Sequence, residues 1–284
     1  MADHEGKDGQ KVRKVEMYRI GWFSTGRGKG SRDLLTVVQD SVVRGDIRAS
    51  IEFVFCSREP GEAEGSDLFI ELVRSYDIPL VCFSSRRFLP QLKSQSRSEW
   101  RLEYDREIIK RMEGFAPDLC VLAGYMLVVG SEMCQEYKMI NLHPALPGGP
   151  AGTWQEVIWQ LIEGQAESTG AMMHLVTPEL DKGPPVTFHR FSIGGEPFDR
   201  YWEEIEGLSI EQVKREQGED NPLFRLIRQY GMVRETPLVA ATVKAFSEGR
   251  VRIEEGRVLD AGGEPITAYD LTADIEKIVR GKAV

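Results

Sequence analysis

The sequence predicts an α/β protein: a Rossmann-like, mostly parallel sheet flanked by helices, followed by a C-terminal extension made of a helix and a hairpin. Three observations carry that expectation. Short apolar runs alternate with amphipathic stretches from residue 18 to residue 193, the pattern of right-handed βαβ units. One run, Leu119-Cys120-Val121-Leu122-Ala123, is apolar throughout, as a strand covered on both faces must be. A third, Met139-Ile140-Asn141-Leu142-His143, ends in two polar side chains and then gives way to Pro144, Pro147, Gly148, Gly149 and Pro150. Residues i and i+2 of an extended chain share a face, and open α/β sheets bind ligands at the carboxyl ends of their strands.

Taken in order, residues 1–16 are polar and lack an apolar segment, so a disordered tail is expected. Residues 18–23 read as the first strand. Residues 33–43 place Leu34, Leu35, Val37, Val38 and Val42 at helical spacing. A second strand is expected at 51–56, a short helix at 66–76 with Ser66 as N-cap, and a third strand at 78–83. Residues 98–112 are charged and helical. After the apolar run at 119–123 come strands at 138–143 and 171–176, and 185–193 returns as an antiparallel edge or hairpin partner. The pattern breaks at Gly194-Gly195-Glu196-Pro197. Beyond it, helices are expected at 209–228 and 237–247, and a hairpin at 251–259 turning on Glu255-Gly256. The expected organisation is therefore a tail at 1–16, a core at 17–195 and an extension at 196–284 packed on that core.

Composition narrows the function. The net charge of −9 gives no reason to expect duplex nucleic acid or an anionic membrane as partner, and no apolar run is long enough to span a bilayer. The N-terminal residues have no hydrophobic signal region. Cys56, Cys82, Cys120 and Cys134 have no CxxC spacing and read as free thiols, not a metal site. A cytoplasmic protein acting on small molecules, without a metal, is the expectation.

Three ordered motifs resemble one family. They are Leu122-Ala123-Gly124-Tyr125-Met126, Asn141-Leu142-His143-Pro144 and Thr177-Pro178-Glu179-Leu180-Asp181-Lys182-Gly183-Pro184. Together they are similar to the formyltransferases that use 10-formyltetrahydrofolate, closest to those of purine synthesis that act on glycinamide ribonucleotide. The resemblance implies the formyltransferase fold, with 10-formyltetrahydrofolate as co-substrate and a phosphorylated amine as acceptor. A homodimer is left open. It further implies that Asn141 binds the formyl oxygen, that His143 is the acid, and that Asp181 holds the charge state of His143. Met126, Leu127, Val128 and Val129 would line the folate slot, with Arg101 near the folate, and Gly30, Ser31 and Arg32 would bind the acceptor's phosphate. Several residues depart from the family pattern. The loop at 24–31 is longer than usual, Arg32 replaces an asparagine, Leu127 replaces an arginine, and the segment Gly152-Thr153-Trp154-Gln155 lacks a customary pair of histidines.

The residue types suit that chemistry on their own terms. An amine attacking a formyl carbon generates a negative oxygen, and one donor placed where that charge develops is worth about 3 kcal/mol. An amide and an imidazolium on one strand face supply such donors, and a carboxylate beside an imidazole favours its charged form and fixes its tautomer. The loop before residue 33 is rich in glycine, so a phosphate can approach the backbone there. Among the other histidines, His4 lies in the tail and His189 on an expected edge strand. His174 reads either as a buried core residue or as one that orients a catalytic neighbour. Arg86, Arg87, Lys93, Arg97 and Arg101 read as a solvated face or, for one or two of them, as partners of the folate's carboxylate tail. Other acceptors stay open: a sugar-nucleotide amine, a tRNA-bound amino acid, or water as in a formyltetrahydrofolate hydrolase. Water is disfavoured by the absence of a preceding regulatory domain, and tRNA by the acidic balance and the absence of a basic C-terminal domain. A non-catalytic binding module on the same fold is the remaining alternative. The resemblance also implies that a carboxylate from residues 196–235 holds the acceptor's ribose, with Glu219 and Glu235 as the candidates.

Overall fold

The computed structural model describes residues 17–281; the expected tail at 1–16, with His4, lies outside them. The chain starts with β1 (Tyr18–Ser24), α1 (Lys29–Val43), β2 (Ala49–Cys56), α2 (Glu64–Ser75) and β3 (Leu80–Cys82). It then crosses over through α3 (Pro90–Gln95) and α4 (Arg97–Arg111) to β4 (Leu119–Leu122), α5 (Ser131–Glu136) and β5 (Met139–His143). Next come α6 (Trp154–Glu163), β6 (Ser168–Leu175), β7 (Pro185–Ser192), α7 (Asp199–Glu204) and α8 (Ile210–Glu216). The chain continues with α9 (Pro222–Ser247), the hairpin β8 (Val251–Glu254) and β9 (Arg257–Asp260), β10 (Tyr269–Asp270) and α10 (Thr272–Gly281).

The main sheet runs β10-β7-β6-β5-β4-β1-β2-β3. The β1–β2, β2–β3, β1–β4 and β4–β5 pairs are parallel, so the mostly parallel sheet expected from the alternating pattern is present. The chain moves outward from β1 to β3 and then restarts at β4 on the other side of β1. This reversal opens a crevice at the carboxyl ends of β1 and β4. The crevice is laced together by backbone and hydroxyl bonds. The Thr25 N–H donates to Gly124 O (3.0 Å), the Met126 N–H to Thr25 Oγ1 (2.9 Å), and Thr25 Oγ1 lies 2.9 Å from Ser57 Oγ.

Apolar side chains cover both faces of the sheet. On one side Trp22, Leu35, Val38, Val54 and Val121 pack with Leu238, Val239 and Val243 of α9 and with Ile275 of α10. On the other, Phe23, Phe53, Phe55, Trp100, Tyr104 and Ile108 form an aromatic layer under α4. Phe83 and Tyr104 stack at 5.0 Å between ring centroids and Trp100 and Tyr104 at 4.8 Å.

Several local expectations are corrected. Ser66 is not an N-cap: α2 starts at Glu64 after Ala63, and Ser66 Oγ donates to Ala63 O (2.8 Å). β6 runs antiparallel to β5 and so departs from the parallel βαβ pattern of the strands before it. β7 is the expected antiparallel hairpin partner, of β6, but not an edge strand, because β10 pairs outside it, and His189 is consequently fully buried. The two helices expected at 209–228 and 237–247 are instead the short α8 and one 26-residue α9 that runs through Pro237. A proline inside a helix costs about 3 kcal/mol or more. The burial of Leu223, Phe224, Ile227, Leu238, Val239, Val243 and Phe246 along α9 offsets that cost, since each large apolar side chain contributes about 1.5–3 kcal/mol when fully buried. α6 was not expected, although its start carries a capping box: the Glu156 N–H donates to Thr153 Oγ1 while Glu156 Oε2 accepts from the Thr153 N–H.

Candidate active site

β5 delivers Asn141 and His143 to the carboxyl edge of the sheet. His143 is buried, and Asn141 is partly open to solvent. The register of the antiparallel β5–β6 pair sets His174 directly opposite Asn141. The chain then leaves β6, turns over residues 176–184 and comes back as β7, and this turn presents Asp181 in the left-handed region at φ 55°, which aspartate tolerates better than most residues. The turn is forced close to the strand by Gly183, where a Cβ would meet Leu175 O at 1.7 Å.

Four side chains converge. Asp181 Oδ2 lies 4.0 Å from His143 Nδ1, and Asp181 Oδ1 lies 3.5 Å from His174 Nε2. Asn141 Nδ2 is 3.4 Å from His174 Nε2, and the two imidazoles meet edge to face at 6.3 Å. Nε2 of His143 is 3.1 Å from Pro150 O and donates to it, which turns Nδ1 toward Asp181. His174 Nδ1 is 3.0 Å from Leu175 O and donates there in the neutral ring. Burial pushes His174 below its ordinary value; its bond to Leu175 O and the Asp181 charge pull the other way, and the neighbouring His143 lowers it further. A neutral His174 presents Nε2 as an acceptor to one amide N–H of Asn141 and leaves the other N–H free for a ligand. His174 is thus the buried, hydrogen-bonded core residue of the first reading, and its contact with Asn141 is the one the second reading requires.

Met126 to Val129 follow β4 and line the same crevice. Val129 is buried, Leu127 and Val128 are half-buried, and Met126 is 60% exposed. Leu180, on the turn beside Asp181, is 62% exposed. Met126 and Leu180 are thus large apolar side chains left open to solvent. Arg101 lies along Gly130, its methylenes within 3.7 Å of where a Cβ there would stand. The adjoining Asp105 is buried and accepts the Gly130 N–H at 2.6 Å, which pins the end of the Met126–Val129 segment. Burial pushes the Asp105 carboxyl up to about 6, against the Gly130 bond and the Arg101 charge, which lower it. The folded chain thus holds this proton to higher pH than the unfolded chain, and the stability it confers is lost as pH rises from about 4 to about 6. Asp105→Asn is expected to flatten the pH dependence of the unfolding free energy over that window; equal slopes in urea titrations of both proteins would rule this out.

The start of α1 lies across the crevice. Gly28 caps it without a side-chain bond, and no acidic residue stands in its first turn, so its leading N–H groups face outward. A Cβ on Gly30 would meet open space. Ser31 is buried against Gly124. Arg32 reaches back toward Gly65 O (3.4 Å) rather than over the helix end. Of the two ribose candidates, Glu235 shares a cleft with Pro144 and Gly170 and is paired with Arg228, whereas Glu219 lines a groove farther out along α9. Among the described residues no group of three histidine, cysteine, aspartate or glutamate side chains is arranged to hold a metal ion, and no helix is long and apolar enough to cross a membrane.

An open α/β sheet with an amide, two imidazoles and a carboxylate gathered at the carboxyl end of β5 defines the class of protein by fold and side-chain chemistry. The formyl transferase family model matches residues 28–196, and the chain belongs to that family. The phosphoribosylglycinamide formyltransferase of Saccharomyces cerevisiae is 30% identical over 119 residues, a match that spans 39% of this chain and only 56% of that protein. That of Haemophilus influenzae is 28% identical over 258 residues, 89% of this chain and 99% of that protein. The solved structure of the phosphoribosylglycinamide formyltransferase from Coxiella burnetii superposes with a TM-score of 0.63 at 20% identity, covering 90% of this chain and 99% of that one, and shows the shared fold. Formyltetrahydrofolate deformylases are also among the relatives.

Proposed function

We propose that the protein transfers the formyl group of 10-formyltetrahydrofolate to the amine of a small phosphorylated acceptor, glycinamide ribonucleotide in purine synthesis. The convergence of Asn141, His143 and Asp181 beside the exposed apolar flank of Met126 and Leu180 carries this reading. The free amide N–H of Asn141 holds the formyl oxygen. His143 in its charged form stabilises the negative oxygen as the acceptor amine adds to the formyl carbon. Asp181 faces the imidazolium and offers an acceptor for the proton that the attacking amine must lose. Collapse breaks the bond to the folate nitrogen, which takes up a proton as it leaves. Pro150 O occupies His143 Nε2, so this nitrogen changes partner from the 144–153 segment to the substrate as the reaction proceeds. Met126, Leu127, Val128 and Val129 line the folate slot with Arg101 at its end, Gly30 and Ser31 at the start of α1 hold the phosphate, Arg32 joins them by leaving Gly65 O, and Glu235 is the carboxylate for the ribose.

The test is tetrahydrofolate release with glycinamide ribonucleotide, with a sugar-nucleotide amine, and with no amine. Release that needs glycinamide ribonucleotide supports the reading; equal release without any amine would make water the acceptor. The phosphate position has its own test. Gly30→Asp puts a carboxylate at the helix end in open space, where it suits the helix dipole but competes with a phosphate. The KM for the acceptor is expected to rise at least about tenfold, the change of 1.4 kcal/mol within reach of a charge at a helix end, with the folate KM and thermal midpoint unchanged. An unaltered acceptor KM would move the phosphate elsewhere.

A further inference from the structure

Two of the four free cysteines stand side by side near the margin of the sheet. Cys56 ends β2 and Cys82 ends β3, the outermost strand, and the two are register partners in this parallel pair. Val54 and Leu80, two residues earlier, are partners in the same way. All four belong to the apolar layer that includes Phe69, Ile70 and Val73 of α2. Both thiols therefore project from one face of the sheet. Neighbouring strands lie about 4.7–4.9 Å apart, inside the Cα separation of about 4.4–6.8 Å that a disulfide spans. The two cysteines differ in character. Cys82 is half-buried, and its bond to Cys56 holds its thiol below the ordinary value; burial and the charges of Glu59 and Glu62 oppose this, and the Arg74 guanidinium supports it. Cys56 is fully buried, and the same bond and then burial push its thiol up. An accessible sulfur that ionises readily, beside a buried one that keeps its proton, is the arrangement of an attacking thiol and its resolving partner. The other two cysteines lack it. Burial pushes Cys134 up to about 11, and Cys120 is fully buried with Gly21 and Met139 as its register partners.

We propose that Cys56 and Cys82 form a reversible disulfide site, closed by exchange with a small-molecule disulfide. The Cys82 thiolate attacks one sulfur of that disulfide, whose S–S bond breaks and releases one thiolate, leaving a mixed disulfide on Cys82. Cys56 then gives its proton to solvent and attacks the Cys82 sulfur, and the second small thiolate leaves. Two protein thiols are oxidised and one small disulfide is reduced to two thiols. Closure reaches the crevice. The Cβ atoms of a disulfide lie about 3.5–4.5 Å apart, closer than the strands themselves, so the bond draws the ends of β2 and β3 together. Ser57 follows Cys56, and its Oγ lies 2.9 Å from Thr25 Oγ1, which accepts the Met126 N–H. The pull on Ser57 therefore passes to the start of the Met126–Val129 segment. This effect on the folate slot rests on the proposed function; the disulfide site does not.

Incubation of the full chain with oxidised glutathione tests it, followed by blocking of the remaining thiols, intact mass and peptide mapping. The expected product has lost two hydrogen atoms, yields a Cys56–Cys82 linked peptide and is restored by dithiothreitol. Cys56→Ser is expected to stop at a glutathione adduct on Cys82, and Cys82→Ser to form neither product. Cys82 is half-buried on the outermost strand, so its variant reports even if Cys56→Ser folds poorly. Unchanged mass after oxidation, reaction confined to Cys134, or a glutathione adduct on Cys82 that persists in the wild type overturns the site. The donor KM of the disulfide form is expected to rise at least about threefold, the scale of one weakened hydrogen bond, and to return with dithiothreitol, while oxidant leaves Cys82→Ser unaffected. An unchanged donor KM in the disulfide form overturns the coupling to the folate slot. A protein that forms the disulfide but releases no tetrahydrofolate from any formyl donor refutes the proposed function and leaves the site standing.

Discussion

His143→Ala, Asn141→Ala and Asp181→Ala are each expected to lower turnover by at least about 10²-fold, the scale of lost acid–base or oxyanion help. The four-residue contact network also fixes how the losses combine. Asp181 touches both His143 and His174, and His174 holds Asn141. Removing one member therefore misplaces the others, and the double variant Asn141→Ala with Asp181→Ala is expected to lose far less than the product of the single losses. Single-turnover rates measured at saturating donor and acceptor separate this from weakened binding. Near-full activity in all three single variants would place the chemistry elsewhere on the protein.

Gly183→Ala is expected to be nearly as damaging to turnover without touching a charged group. A Cβ at this position would lie 1.7 Å from Leu175 O and 2.7 Å from Leu175 C. Both are backbone atoms of β6, next to His174, and cannot move aside as a flexible side chain would. The turn must lift, carrying Asp181 away from His143 and His174. Overpacking of this kind typically costs 1–3 kcal/mol of stability, which a domain of this size survives. The expected result is a folded protein, a thermal midpoint lowered by a few degrees, and turnover reduced by about 10²-fold, close to that of Asp181→Ala. Adding Gly183→Ala to Asp181→Ala should then change turnover little. A Gly183→Ala protein with wild-type turnover would show that the position of Asp181 is not what the reaction depends on.

Much of this architecture was legible in the residues alone. Apolar runs such as Leu119-Cys120-Val121-Leu122 can only be strands buried on both faces, and their alternation with amphipathic stretches dictates parallel βαβ units. The i, i+2 spacing of Asn141 and His143 by itself puts them on one face at a strand end. Local chemistry marks α6 as well: Thr153 and Glu156 are a capping box behind a proline- and glycine-rich loop that masks the helix start.

Other features are set by contacts between segments distant in sequence. Pro237 reads as a helix boundary, and only the packing of α9 against α1 and β6 keeps one helix running through it. His189 looks like an edge residue because nothing near it in sequence announces β10, which arrives some eighty residues later to cover β7. The direction and register of β6 are likewise beyond local reading. Side-chain alternation is satisfied equally by parallel and antiparallel pairing and by any shift of two residues. Burial of the whole sheet selects the one register that sets His174 opposite Asn141. The composition and order of the chain thus determined the class of fold and the pair on β5. The sheet pairing and the turn at Gly183 decided that Asp181 and His174 join them, because those positions depend on which backbones meet, and a sequence specifies that only through the packing of the entire core.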